Sequence, residues 1–89
     1  MAISVRRVDQ GSYEVTVAGP TKTTHTVTLI DSYYQKLTDG KITPEQLIER
    51  SFEFLLEREP NTSILRRFDL PVIQTYFPEY EKTIRGPGE

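Results

Sequence analysis

The sequence predicts an α+β fold in which a three-stranded antiparallel meander is packed on one face by a central helix and two or three short helices. Residues 3–30 are rich in β-branched side chains that alternate with polar ones, which is typical of strands with one buried face. Beyond them, capping residues and prolines mark the ends of several helices. A chain of 89 residues is long enough for one domain, which we expect over residues 1–85, followed by a flexible tail at residues 86–89.

The predicted strands cover residues 3–8, 12–18 and 24–30. Gly11 suits the left-handed position of a short loop between the first two strands. The resulting register places Val5 opposite Val15 on the apolar face. On the polar face it places Arg6 opposite Glu14, a pair of opposite charge.

The loop at residues 19–23 is expected to bring the third strand back beside the second. Val15 then lies opposite Val27, and Val17 lies opposite His25. One face of the sheet is therefore apolar and the other is rich in threonine. Because an apolar sheet face must be covered, the helices are expected to pack there.

The central helix, predicted over residues 44–59, has the strongest local signal in the chain. Thr43 is its N-cap, Pro44 takes the first helical position, and Gln46 completes a capping box. Pro60 ends it. Its apolar side chains spread over an arc of roughly 200°, so we expect the sheet on one side and the C-terminal segment or a second subunit on the other.

Shorter helices are predicted on both sides of the central one. Asp31 is the N-cap of a helix over residues 32–38, which ends at Asp39 and Gly40.

After the central helix, residues 61–68 predict a short helix capped by Asn61 or Thr62, and residues 70–76 predict another capped by Asp69. These two helices form a segment like a helix-turn-helix. Tyr80 and Ile84 are expected to add a last packing turn.

Composition excludes several classes of function. There is no cysteine and only one histidine, so disulfide frameworks, thiolate zinc sites and multi-histidine metal sites are excluded, and we expect no cofactor. No apolar run approaches the ~20 residues of a membrane span, and the N-terminus lacks the apolar core of a signal peptide. We therefore expect a cytoplasmic protein without membrane association.

His25 is the only side chain with an ordinary pKa near neutrality. It is a general base in one interpretation and a hydrogen-bonded histidine at the margin of the core in the other. No partner stands beside it in the sequence, which favours the second interpretation. Since a phosphate-binding glycine loop, a nucleophile elbow and paired acid–base carboxylates are also missing, we expect that the protein is not an enzyme.

Two features of the C-terminal half predict a protein interface. Glu49, Glu53 and Glu57 are four residues apart and share one ridge of the central helix. This ridge suits a basic partner or a weakly held hard cation, although a solvated face is the favoured explanation.

The second feature is the number of aromatic side chains. Five tyrosines and four phenylalanines exceed what one small core is expected to bury, so an exposed aromatic patch is predicted. Tyr76, Phe77 and Tyr80 are the first candidates for this interface, followed by Tyr33 and Tyr34.

Nucleic-acid binding is the alternative function, with Arg66 and Arg67 in the helix-turn-helix-like segment and Arg6 and Lys22 in support. Two observations argue against it. The net charge is −2, whereas nucleic-acid affinity depends on many basic groups. The second helix of the segment also offers few polar side chains that could reach base edges.

The runs SFEFLLEREP (51–60), SILRRFDL (63–70) and YFPEY (76–80) resemble a small bacterial family of hypothetical proteins. The resemblance covers the C-terminal half alone, and because the family has no assigned activity it carries over no functional residue. It implies a bacterial protein. We therefore expect a non-enzymatic protein-interaction or regulatory module that binds a protein partner or forms a homodimer.

Overall fold

The computed structural model of the chain describes residues 2–85. The strands are β1 (Ala2–Asp9), β2 (Ser12–Ala18), β3 (Thr23–Thr28) and β4 (Arg67–Asp69). The helices are α1 (Asp31–Thr38), α2 (Pro44–Leu56), α3 (Val72–Tyr76) and α4 (Tyr80–Arg85), and a 3₁₀ turn covers Asn61–Ser63. The predicted tail at residues 86–89 lies outside the described residues.

The sheet has four strands in the order β1-β2-β3-β4. The first three pair antiparallel, and β4 pairs with β3 in parallel. The α+β class is therefore confirmed, whereas the prediction of a three-stranded antiparallel meander is wrong. The reason is that part of the segment predicted to be helical adds a fourth strand at the edge of β3.

The first hairpin has the predicted register from Ala2 to Arg7, after which the register shifts and Asp9 pairs with Ser12 instead of lying in the loop. Val5 pairs with Val15 and Arg6 pairs with Glu14. Gly11 has a φ of 76°, so it occupies the left-handed position that glycine tolerates without strain. The alternation of apolar and polar side chains along both strands was enough to predict this pairing.

The register of the second hairpin differs from the prediction by two residues. Val15 pairs with His25, and Val17 pairs with Thr23. Thr23 belongs to the strand because its side chain is buried and hydrogen-bonded. Since the displacement is even, every side chain stays on its predicted face.

Strand β4 replaces the predicted helix over residues 61–68. Phe68 and Leu70 are buried while Arg67 and Asp69 are exposed, which is the two-residue period of a strand. The N–H of Thr26 donates to the Arg66 carbonyl oxygen at 2.7 Å, and β4 continues the ladder from there.

The helix-turn-helix-like interpretation is therefore wrong. Asp69 does not cap a helix but accepts a hydrogen bond from the Thr28 hydroxyl. Helix α3 starts only at Val72, after Pro71 as its N-cap.

Helix α2 begins as predicted and ends early. The Gln46 N–H donates to Thr43 Oγ1 at 3.1 Å, and the Thr43 N–H donates to Gln46 Oε1 at 2.9 Å, which completes the capping box. The helix ends at Leu56 rather than Glu59. Pro60 explains this, because a proline disfavours helical geometry at the preceding residue and its ring clashes with the carbonyl four residues earlier.

Helix α1 is bounded differently at its start. Asp31 is its first helical residue, and Ile30 takes the N-cap position without a side-chain hydrogen bond. Its end is as predicted, because Asp39 and Gly40 both have positive φ angles, of 54° and 75°.

We expect the variant Thr43→Ala to lower the free energy of unfolding by about 1 kcal/mol, because it leaves an N–H group in the first turn of α2 without its partner. Urea denaturation measures this directly. Thr43→Ser keeps the capping oxygen and is the control, for which we expect almost no change. Equal losses in both variants would show that the capping box contributes nothing measurable.

The core lies between the sheet and the helices, with α2 at its centre. Helix α2 contacts β1 on one side and α4 on the other, which explains its wide apolar arc. The fully buried side chains of this core include Val15, Val27, Leu47, Ile48, Phe52, Leu70 and Tyr80. The arc is thus covered within one chain and does not require a second subunit.

Candidate functional site

An apolar groove of about 240 Å³ lies between the end of α2 and the segment from residue 63 to residue 77. We call it the C-terminal groove. Its lining includes Leu55, Glu59, Leu65, Phe68, Tyr76 and Phe77. Its lining comes from the end of α2 and the residues after it, from the segment around β4, and from α3.

Two large apolar side chains stay exposed at this groove. Tyr76 is 65% exposed and Leu65 is 48% exposed. Phe77 is half-buried and packs edge-on against Phe54, with ring centroids 5.9 Å apart. Of the aromatic residues predicted for the interface, Tyr76 is therefore exposed at this groove and Phe77 is half-buried in its lining.

Tyr80, the third predicted interface residue, is not on this surface. It is completely buried, and its hydroxyl lies 2.6 Å from Ser51 Oγ. Since Ser51 Oγ donates its only proton to the Leu47 carbonyl, Tyr80 must be the donor to Ser51. Its assignment to an interface is thus wrong, because α4 folds Tyr80 onto α2.

The other two candidate tyrosines form contacts within the chain. Tyr33 is buried, and its hydroxyl donates to Glu81 at 2.9 Å. Tyr34 is half-buried, and its hydroxyl donates to the Ile42 carbonyl oxygen.

Glu59 is the charged member of the C-terminal groove. It is half-buried, and burial raises the pKa of its carboxyl group above the usual range. A carboxylate that is partly removed from water gains from an opposite charge. The groove therefore combines an apolar surface with one site that favours a cation.

The three glutamates of the predicted ridge, Glu49, Glu53 and Glu57, lie on a different surface. They are exposed and line a second groove, of about 330 Å³, with Ile3 of β1 and Leu56. This groove shares no lining residue with the C-terminal groove. The two parts of the predicted interface are therefore separate.

His25 lies in a closed hydrogen-bond network. It is 1% exposed, its Nδ1 lies 2.8 Å from the Leu65 carbonyl oxygen, and its Nε2 lies 2.9 Å from Thr23 Oγ1. Because a carbonyl can only accept, Nδ1 carries the proton and Nε2 accepts from Thr23. Asn61 completes the network by donating to Thr23 Oγ1 at 3.0 Å.

This network attaches the segment before β4, which lines the C-terminal groove, to strand β3. His25 connects β3 to Leu65, and Asn61 connects the 3₁₀ turn to the start of β3. Both ring nitrogens of His25 are engaged, and the side chain lines neither of the two grooves. The sequence indicates Asn61 only as a possible helix cap, and it does not single out Leu65 or Glu59 as site residues. The hydrogen bonds of Asn61 and Leu65 join residues 40 positions apart, which no local pattern reveals.

We expect the protein to lose stability as the pH falls below about 6.5, the ordinary pKa of histidine. Desolvation by burial lowers the pKa of His25 in the folded state. At a pH between the pKa of His25 in the folded state and its higher pKa in the unfolded state, the unfolded chain binds a proton that the folded chain does not. The free energy of unfolding therefore decreases as the pH falls through this interval. Urea denaturation at pH 7.5 and at pH 5.5 measures the difference.

The control for this prediction is the variant His25→Gln, in which the loss of stability over that pH interval should be smaller than in the wild type. An NMR titration that places the pKa of His25 above its ordinary value would contradict the prediction.

The four basic residues of the nucleic-acid alternative do not converge. Arg6 lies on β1 and forms an ion pair with Glu14 at 2.9 Å. Arg67 lies on β4, at the opposite edge of the sheet, where it pairs with Thr26 of β3. Arg66 precedes that strand, and Lys22 lies in the loop between β2 and β3.

Within residues 2–85, no group of three or more histidine, cysteine or acidic side chains is arranged to hold a metal ion. Over that range no helix has both the length and the apolar character needed to cross a membrane. Comparison of the chain with models of protein families, with curated proteins and with solved structures finds no match. The family resemblance of the C-terminal half therefore stays a prediction.

Proposed function

We propose that this chain is a non-enzymatic protein-interaction module that binds its partner in the C-terminal groove. The observation that carries the proposal is the exposure of Tyr76 and Leu65 beside an apolar groove. Exposed apolar side chains around a concavity are typical of protein interfaces, and tyrosine is enriched there. The engagement of both nitrogens of His25 supports the non-enzymatic part of the proposal.

The groove also defines the chemistry of the partner. Its volume of about 240 Å³ suits one or two large apolar side chains. Glu59 favours a lysine or arginine beside them, because pairing offsets the desolvation of its carboxylate. The expected partner segment is therefore apolar and carries one basic residue.

The chain offers a closely matched set of variants for the test. The double variant Leu65→Ser with Tyr76→Ser removes the exposed apolar groups, which are 48% and 65% exposed. The control is Val8→Ser with Ile30→Ser, because Val8 and Ile30 have the same exposures of 48% and 65% and lie outside the groove. Both variants remove two large exposed apolar side chains.

Each protein is used as bait in a bacterial lysate, and the captured proteins are quantified by mass spectrometry. The proposal expects that the wild type and the control capture the same protein in similar amounts. The amount captured by the groove variant should be lower by about tenfold or more, because residues at the centre of an interface contribute a large share of the binding energy. Equal capture by all three baits would contradict it. Sedimentation equilibrium of all three proteins shows whether the groove binds a second copy of the chain. In that case the wild type and the control dimerise and the groove variant does not.

A further inference from the structure

A third groove, of about 140 Å³, lies where α1, α2 and α4 meet, and it gathers basic side chains that are far apart in the sequence. Lys36 comes from α1, Lys41 from the loop after it, Arg50 from α2 and Arg85 from α4. We call it the basic groove. It shares no lining residue with the C-terminal groove, so a ligand bound here is distinct from the partner of the proposed function.

The positive charge of this groove is only partly balanced. Lys36 forms an ion pair with Glu81 at 3.2 Å, and Asp39 also lines the groove. Lys41, Arg50 and Arg85 form no ion pair with a side chain of the described range. A chain with a net charge of −2 therefore keeps a local positive excess here.

The fold directs these side chains to one place. The left-handed conformation of Asp39 and Gly40 turns the chain after α1 and brings Lys41 to the groove. The capping box then starts α2, and Arg50 follows on it. Like charges that are held together repel, and a bound anion removes that repulsion.

The C-terminus of α1 lies at this groove, and its partial negative charge balances only part of the positive charge of the basic side chains. A helix C-terminus carries about half a negative charge, which one cation offsets. Lys36, in the last turn of α1, already serves that purpose. The two arginines and Lys41 are in excess of it.

We propose that the basic groove binds a phosphoryl group, as free phosphate or as the phosphate of a small ester. Arg50 and Arg85 would donate paired hydrogen bonds to the phosphate oxygens, since the planar guanidinium matches their geometry. Lys41 would contribute a compact charge. Leu37, Ile42 and Ile84 supply the apolar part of the lining.

An NMR titration of the full chain tests the proposal. The probes are inorganic phosphate, pyrophosphate and adenosine monophosphate, each compared with sodium chloride at equal ionic strength. The expected shifts are confined to residues 36–42 and the neighbourhoods of Arg50 and Arg85. A higher affinity for adenosine monophosphate than for phosphate identifies an ester as the ligand, and a lower affinity identifies free phosphate.

The double variant Arg50→Gln with Arg85→Gln is expected to weaken phosphate binding about tenfold or more, because hydrogen bonds to a charged group are lost. The control Arg6→Gln with Arg67→Gln removes the same charge from the outer sheet face, and it should change the affinity less than about twofold. Lys41→Gln, in an exposed loop, provides a milder third variant. Equal weakening by both double variants, or shifts equal to those in chloride, would overturn the proposal.

Discussion

The variant Tyr80→Ala is expected to lower the free energy of unfolding by about 3–5 kcal/mol, the range for removing a large aromatic side chain from a core. Tyr80 is fully buried, and its ring packs edge-on against Phe54 with centroids 5.3 Å apart. The loss is large for a small domain, whose total stability is about 5–15 kcal/mol. Urea denaturation followed by circular dichroism measures it.

The control Tyr80→Phe keeps the ring and removes the hydroxyl group alone. It should cost about 1 kcal/mol, the usual contribution of one hydrogen bond. Ser51 still donates to the Leu47 carbonyl oxygen in this variant, so no donor of Ser51 is left unpaired. If Tyr80 were an exposed interface residue, the alanine variant would change stability by no more than about 0.5 kcal/mol. The experiment therefore separates a core residue from an interface residue.

Local patterns were sufficient for the parts of the fold that depend on neighbours in sequence. The hairpin around Gly11 and the capping box at Thr43 are both as predicted. The capping box joins residues three positions apart, and the hairpin pairs residues at most 16 positions apart, so each can be predicted from one continuous segment of the sequence. The pattern of apolar residues does not determine the register of β3. Shifting β3 by two residues leaves each of its side chains on the same face of the sheet, so two loop lengths fit the pattern equally well.

Strand β4 could not be predicted in this way. Its three residues are too few to show a clear period, and its hydrogen-bond partners on β3 lie about 40 positions earlier. Arg66 and Arg67 are both exposed, which suits the surface of a helix as well as the start of an edge strand. Tertiary pairing therefore decided the conformation.

The same limit applies to the candidate sites. Tyr76, Phe77 and Tyr80 were all selected because they are aromatic residues close together in the sequence. Tyr76 is exposed, whereas Tyr80 is completely buried, and the sequence alone does not distinguish the two. The basic groove had no signal at all, since Lys41 and Arg85 share no motif and meet only after α4 packs beside α1. Chemistry that depends on the convergence of distant elements requires the fold.

The variant Phe68→Ala is expected to destabilise the protein by about 3–4 kcal/mol and to loosen β4 before the rest of the sheet. Phe68 is the inward-facing residue of β4, and its ring lies 6.0 Å from that of Phe52, which in turn lies 5.4 Å from the ring of His25. Removing the ring takes away the only buried side chain within this strand. The strand then retains few contacts besides its backbone ladder.

Hydrogen exchange distinguishes this local loosening from a general loss of stability. The N–H groups of Thr26 and Leu70 bond across the β3–β4 pair, whereas the N–H of Leu29 bonds to Gly11 at the other side of β3. Protection should fall further at Thr26 and Leu70 than at Leu29. Leu65→Ala, at an exposed position just before β4, is the control and should change stability by about 0.5 kcal/mol or less. Uniform loss at all three amides would mean that β4 unfolds together with the meander, and the C-terminal groove would then be as stable as the core.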